Sequence, residues 1–329
     1  MSGMEDNARP VGFFIHPDAS LHDTGWGHPE HQGRLRAVAS AVGQDLLAID
    51  GKVIQVEPGK IEDQDILRVH TESHLKTLRQ AVEISTEESR LVSIDPDTIV
   101  SPNSLNAACG STSALVTAVK MVHGGELSTA FVATRPPGHH ATADRAMGFC
   151  LVNHVAIAAR WLQVNCNVQR VLIIDWDVHH GNGTQDIFYR DGSVYYFSLH
   201  QWPHFPGSGS IGEIGEGAGA GMTKNVPVKA RTSASEYCGL FLDNLEQVLG
   251  SFDPEFILIS AGFDVMEGDP LGDLCLEPED LHFLTAEILR RAPKECGVTV
   301  TLEGGYDPKR TGLGVKAVLR ALAAVDLDR

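Results

Sequence analysis

The sequence predicts an α/β fold: a single open, mainly parallel sheet of eight strands flanked by helices. Two observations carry this. Short β-branched runs recur along the chain and are apolar almost throughout, as in parallel strands whose two faces are both covered. Between them lie amphipathic stretches with helix-start signals, the alternation that builds such sheets. At 329 residues and 43% apolar content the chain can bury a large core, and no repeat, low-complexity tract or Pro/Ser-rich linker divides it. We therefore expect one domain over residues 1–329.

In chain order the expected strands are VGFFIH (11–16), VIQVEP (53–58), LVSID (91–95), TAFVAT (129–134), VLIIDWDV (171–178), VYYFSLH (194–200), FILISAGFD (256–264) and VTVTLEGG (298–305). The expected helices include SLNAACGSTSALVTAVKMVHGG, NHVAIAARWLQVN, SASEYCGLFLDNLEQVLGSF and PEDLHFLTAEILRRA, each opened by Ser, Asn or Pro. The Gly-rich segment 207–222 reads as a surface loop between a strand and a helix.

Composition excludes several function classes. The start MSGMEDNARPVGFFIH has neither a basic region nor a long apolar run, and no segment approaches the roughly 20 apolar residues of a membrane span. The six cysteines are scattered without a CxxC pair, as suits a reducing compartment. A net charge of −17 disfavours binding to a phosphate backbone and mildly favours cationic partners, although solubility alone explains it as well. The expectation is a cytoplasmic protein with no nucleic-acid or membrane partner.

Ligands of open α/β sheets bind beyond the carboxyl ends of the strands, and the unusual polar residues gather there. The fourth run leads to His139-His140, the fifth to Asp175, Asp177 and His179, the sixth to Ser198, the seventh to Asp264, and the eighth to EGGY with Tyr306. Strand alternation places Asp175, Asp177 and His179 on one face, where two carboxylates and an imidazole need a cation to offset their burial. A hydrolytic zinc site needs three protein ligands, and Asp264 stands where a neighbouring strand end would supply the third. An Asp-X-Asp helix cap and a simple N-cap at Asp264 are the competing readings. The adjacent histidines in RPPGHH exceed what a turn requires, since prolines and a glycine suffice for that.

Six segments, RPPGHH, GFCLVN, DWDVHHGNGTQDIFY, FSLHQWPHFPGSG, SAGFDVMEGDPLG and LEGGY, resemble in order and spacing the zinc-dependent histone deacetylases and their bacterial deacetylase-like relatives. HPEHQGRL and VHTESHL are similar to that family's N-terminal signatures, so the resemblance runs from about Val11 to Tyr306. It implies the arginase-deacetylase type of eight-stranded parallel sheet. It also implies one catalytic zinc per chain on Asp177, His179 and Asp264, with His140 as general base, His139 holding charge and position, and Tyr306 stabilising the oxyanion. By the same resemblance Asp175 orients His139 and binds a structural potassium ion with Ser198 and the carbonyls of Asp177, His179 and Leu199. A second monovalent cation would sit at carbonyls around Phe188, Asp191 and Val194.

The resemblance further gives Phe149 and Phe205 as the walls of a substrate tunnel, the Gly148 carbonyl as acceptor for the substrate amide N–H, and Arg34 as the residue near the acetate exit. Two positions refine the subtype. Asn182 replaces the aspartate that class I enzymes place behind the second histidine, a class II-like pattern, and Leu271 stands where polyamine-selective relatives carry glutamate. The implied activity is hydrolysis of acetyl-lysine or a similar acylated amine. An acetylpolyamine amidohydrolase and a non-catalytic acyl-binding member of the fold are the alternatives; an arginase-like dimetal hydrolase fits less well. The sequence leaves open the acyl chain length and whether the chain forms a homo-oligomer.

Overall fold

A computed structural model describes residues 9–327. Its strands are β1 (Val11–Phe14), β2 (Val53–Gln55), β3 (Val92–Asp95), β4 (Thr98–Val100), β5 (Ala130–Val132), β6 (Val171–Asp175), β7 (Val194–Gln201), β8 (Thr223–Val228), β9 (Phe256–Ala261) and β10 (Gly297–Leu302). Eight of them form one sheet in the order β2-β1-β5-β10-β9-β6-β7-β8. Every pairing in it is parallel.

The apolar runs become strands because both faces are covered. In β6, Leu172 and Ile174 enter one core with Tyr237, Phe241, Leu281, Leu284 and Val318, from helices Ala234–Ser251, Pro278–Arg291 and Pro308–Leu322. Val171 and Ile173 enter the opposite core with Leu115, Val119, Val155 and Leu162, from helices Ser104–His123 and His154–Cys166. All four strand residues are fully buried, so truncating one to alanine would cost roughly 2–5 kcal/mol.

Two expectations about strands are corrected. The run 91–95 does form a strand, but β3 pairs antiparallel with β4 in a separate two-stranded sheet. The eighth strand of the main sheet is instead β8, TKNVPV, which directly follows the Gly-rich loop. Its Lys224, Asn225 and Pro227 hide it from a search for apolar runs. They are tolerated because β8 is an edge strand, where one side of the backbone needs no partner.

Five adjacent strands, β5, β10, β9, β6 and β7, carry the polar residues at their carboxyl ends. Asp175 pairs in register with Ser198 on one side and Ser260 on the other, and Ser260 with Thr301 beyond. The outgoing segments therefore start from one level of the sheet and meet above it.

Candidate active site

Strand β6 ends at Asp175, so alternation does not place the next two polar residues. Two short side-chain turns do so. The Asp177 N–H donates to Asp175 Oδ1 (3.1 Å), and the His179 N–H donates to Asp177 Oδ1 (2.9 Å). This i to i+2 pattern suits aspartate, whose short carboxylate reaches backbone two residues on. Trp176 and Val178 point away into the core. From β9, the Asp264 carboxylate accepts the Val178 N–H at 3.0 Å, and from β10 the Gly304 N–H donates to Asp177 Oδ2 at 2.8 Å.

One ligand atom each from Asp177, His179 and Asp264 falls within 4.8 Å of the others, and all three residues are buried. His179 Nδ1 lies 3.0 Å from Asp177 Oδ1 and 3.3 Å from Asp264 Oδ2. That Asp264 oxygen is buried without a hydrogen-bond partner, which is costly unless something positive fills the gap. A Cβ on Gly304 would overlap the Asp264 and Asp177 carboxylates, so the glycine keeps the space between them open. Burial disfavours charge on His179, yet its hydrogen bond to Asp177 and the close carboxylates of Asp177 and Asp264 push it up to about 10. Burial, with Asp177 adding to it, raises Asp264 to about 7. The field that draws a proton onto His179 is the field that would draw a cation; this Asp-His-Asp group can hold a metal ion.

The histidine pair sits beside it, with ring centroids 4.0 Å apart. His139 Nδ1 bonds Asp175 Oδ2 at 3.0 Å, and the same oxygen accepts the Tyr196 hydroxyl at 3.0 Å. Burial opposes a charge on His139, but Asp175 and then Asp177 outweigh it and raise this imidazole to about 10. His140 differs. Its Nδ1 lies 2.8 Å from Asn182 Oδ1, an oxygen that only accepts, so Nδ1 carries the hydrogen and Nε2 keeps its lone pair. Burial, followed by repulsion from His139 and His179, holds His140 well below the ordinary histidine range. One ring is kept charged and the other neutral.

A cavity of about 250 Å³ is lined by His140, His179, Tyr306, Phe149, Phe205, Leu271 and Gly148, together with Asp97 and His204. Phe205 stands edge-on to His140 at 5.2 Å, and Phe149 edge-on to Tyr306 at 5.6 Å. Gly148 has φ +57°, and a Cβ there would collide with the His140 ring, so both backbone and space demand glycine. Its carbonyl receives the Cys150 thiol at 3.3 Å, a weak bond. Tyr306 is held by its N–H to Asp269 Oδ2 (2.6 Å). Burial lifts the phenol well above its usual range despite Arg34, so it keeps its proton and can donate. Arg34 does not line the cavity. It lies fully buried behind Tyr306, 5.0 Å from the ring centroid, and bonds Glu30 and the carbonyls of Glu303 and Gly305.

Ser198 Oγ pairs with His200 Nδ1 at 2.8 Å, and the Leu199 carbonyl accepts the Tyr237 hydroxyl at 3.2 Å. Ser198 pairs in register with Asp175 across β6 and β7, and Leu199 follows it in β7.

Sequence reasoning missed three residues. Asp97, from the turn between β3 and β4, accepts the Gly148 N–H at 3.2 Å on the cavity wall. His204 stacks on His179 with centroids 4.9 Å apart and bonds the Leu271 carbonyl at 2.9 Å. Glu303 bonds the backbone under the histidine pair. Asp97 and Glu303 carry no local signal, since single carboxylates after strands usually face water; His204 was visible in QWPHFPGSG as an imidazole next to a wall aromatic.

Comparison with known proteins identifies the family. The histone deacetylase domain model matches residues 28–322. A probable deacetylase of Methanothermobacter thermautotrophicus is 38% identical over 309 residues, covering 93% of this chain and 88% of that protein. Another, from Archaeoglobus fulgidus, is 34% identical over 324 residues, covering 97% and 88%. Histone deacetylase 5 of Arabidopsis thaliana is 35% identical over 315 residues, but the match takes in 91% of this chain and 47% of that protein, about half its length. The crystal structure of the HDA15 HD domain superposes with a TM-score of 0.90 at 31% identity, covering 97% of this chain and 89% of that one. The sheet, the buried acid-histidine group and these matches lead to one conclusion: the chain belongs to the histone deacetylase family of hydrolases.

Proposed function

We propose that the protein is a zinc-dependent amidohydrolase that removes the acyl group from acetyl-lysine or a similar acylated amine, acting as one catalytic domain in the cytoplasm. The observation that carries this reading is the convergence, on one narrow cavity, of a neutral histidine, a protonated phenol and a three-ligand metal group. A divalent cation held by Asp177, His179 and Asp264 would supply Lewis acidity to a water and to the amide carbonyl.

The chain's own groups do the rest. Phe149 and Phe205 flank the acylated stem with apolar surface and exclude water from it. His140 Nε2, its lone pair kept free by the Asn182 bond, takes the proton of the attacking water. Tyr306 donates to the carbonyl oxygen as negative charge develops there. His139, kept charged by Asp175, adds positive potential beside the reacting carbon. His140 then returns its proton to the leaving nitrogen. Arg34, buried behind Tyr306, is assigned in this reading to the path by which the released acid leaves. A potassium ion among Asp175, Ser198 and Leu199 belongs to the same proposal, and no step depends on it.

Leu271 favours an acylated lysine over an acetylpolyamine, because it offers a second ammonium group no charge. An open groove of about 960 Å³, lined by Trp26, His28 and Gln32, adjoins the cavity at Tyr306 and leaves room for the chain bearing the lysine. Among the described residues no helix is long and apolar enough to cross a membrane. Acetate release by the zinc-loaded protein from an acetyl-lysine peptide and from acetylspermidine tests the reading. Peptide turnover is expected, preferred over acetylspermidine; turnover of neither contradicts it.

A further inference from the structure

Glu303 takes no part in the proton transfers above, yet it is fully buried at the centre of the site. Its Oε2 accepts the backbone N–H of Gly138 at 2.6 Å and of His139 at 3.1 Å, and its Oε1 accepts the Ser260 hydroxyl at 2.9 Å. The sequence explains why this loop needs an outside acceptor. Pro136 and Pro137 have no N–H, so Gly138 and His139 are the first donors after the turn, and Glu303 takes both. On its other side the loop has no slack: a Cβ on Gly138 would meet His154 and the Val152 carbonyl within 3 Å, and His154 Nε2 bonds the Pro136 carbonyl at 2.9 Å.

Glu303 also begins a segment in which each residue is tied to a different part of the site. Its carbonyl accepts from Arg34, the Gly304 N–H reaches Asp177 Oδ2, the Gly305 carbonyl accepts from Arg34 Nε at 2.6 Å, and the Tyr306 N–H reaches Asp269. The carboxylate of Glu303 is the tie from this segment to the histidine pair. Asp175 and Asn182 fix the two rings, and Asn182 Nδ2 reaches the His140 carbonyl at 3.4 Å, but neither takes up the N–H groups of Gly138 and His139.

We propose that Glu303 is a positioning residue for the deacylation: by clamping the Gly138 and His139 amides it sets the height of the histidine pair relative to Tyr306 and the Asp-His-Asp group. The assignment rests on the amidohydrolase reading. A carboxyl group suits the task because two backbone donors converge on one oxygen while Ser260 occupies the other.

The test uses zinc-loaded protein and an acetyl-lysine peptide. Glu303→Ala is expected to lower kcat by roughly 10- to 100-fold, the scale of a displacement of about 1 Å, with KM and zinc per chain unchanged. Glu303→Met, which keeps the volume without the acceptor oxygens, should lose as much. Glu303→Gln should recover most of the loss, because its amide oxygen can take both N–H groups and its NH₂ can donate to Ser260. Wild-type kcat in the Ala and Met variants would overturn the assignment, as would a Gln variant as slow as Ala, or loss of the fold or of zinc in all three. A wild type without turnover would instead overturn the amidohydrolase reading itself.

Discussion

His140 Nδ1 lies 2.8 Å from the side-chain oxygen of Asn182, an acceptor without charge. The bond selects the tautomer and lifts the ring's basicity, but by less than burial and repulsion from His139 depress it. Replacing the amide by a carboxylate should change that. In Asn182→Asp the protonated form of His140 gains an ion-pair partner and its pKa rises. A base must be unprotonated to act, so the acid limb of the kcat/KM profile should move to higher pH, by about 1 unit or more. A limb that stays where it is in the wild type would separate His140 from the acid limb.

Asp264 Oδ2 is the one buried ligand oxygen of the metal group left without a hydrogen bond. Asp264→Ala leaves two ligands, too few for a stable zinc site, so zinc bound after dialysis should fall from one per chain to near zero. Adding zinc should raise the Tm of the wild type and leave that of the variant unchanged. Full zinc content in the variant would remove Asp264 from the ligand set.

Leu271 meets the cavity with its side chain and holds His204 through its carbonyl. Because the backbone bond survives a change of side chain, Leu271→Glu should keep the wall intact while adding charge at the mouth. An exposed ion pair there is worth on the order of 1 kcal/mol, so kcat/KM for acetylspermidine relative to an acetyl-lysine peptide should rise roughly 5-fold. Added salt should shrink the gain. An unchanged ratio would show that Leu271 does not choose the substrate.

The central strands could be read from sequence because burial on both faces leaves only apolar residues to choose from, as in VLII of β6. Edge strand β8 could not, since its Lys224 and Pro227 are free to be polar or to lack a donor. Likewise, Asp177 and His179 declared themselves by spacing, although side-chain turns rather than strand alternation hold them. Glu303 and Asp97 stayed hidden for the opposite reason. Their partners are backbone amides of Gly138, His139 and Gly148, far away in sequence, and a backbone amide leaves no mark in composition.

The most direct measurement is the single-turnover and steady-state hydrolysis of an acetyl-lysine peptide by wild type and His140→Ala at equal, measured zinc content. The His140 ring meets His179 edge-on at 5.9 Å but hydrogen-bonds Asn182 and none of the Asp-His-Asp group, so the variant should keep its metal. It should nevertheless lose at least ~10²-fold in kcat, the scale of general acid-base catalysis. Near-normal kcat with zinc bound would contradict the account, because the neutral imidazole on which the chemistry is built would then move no proton.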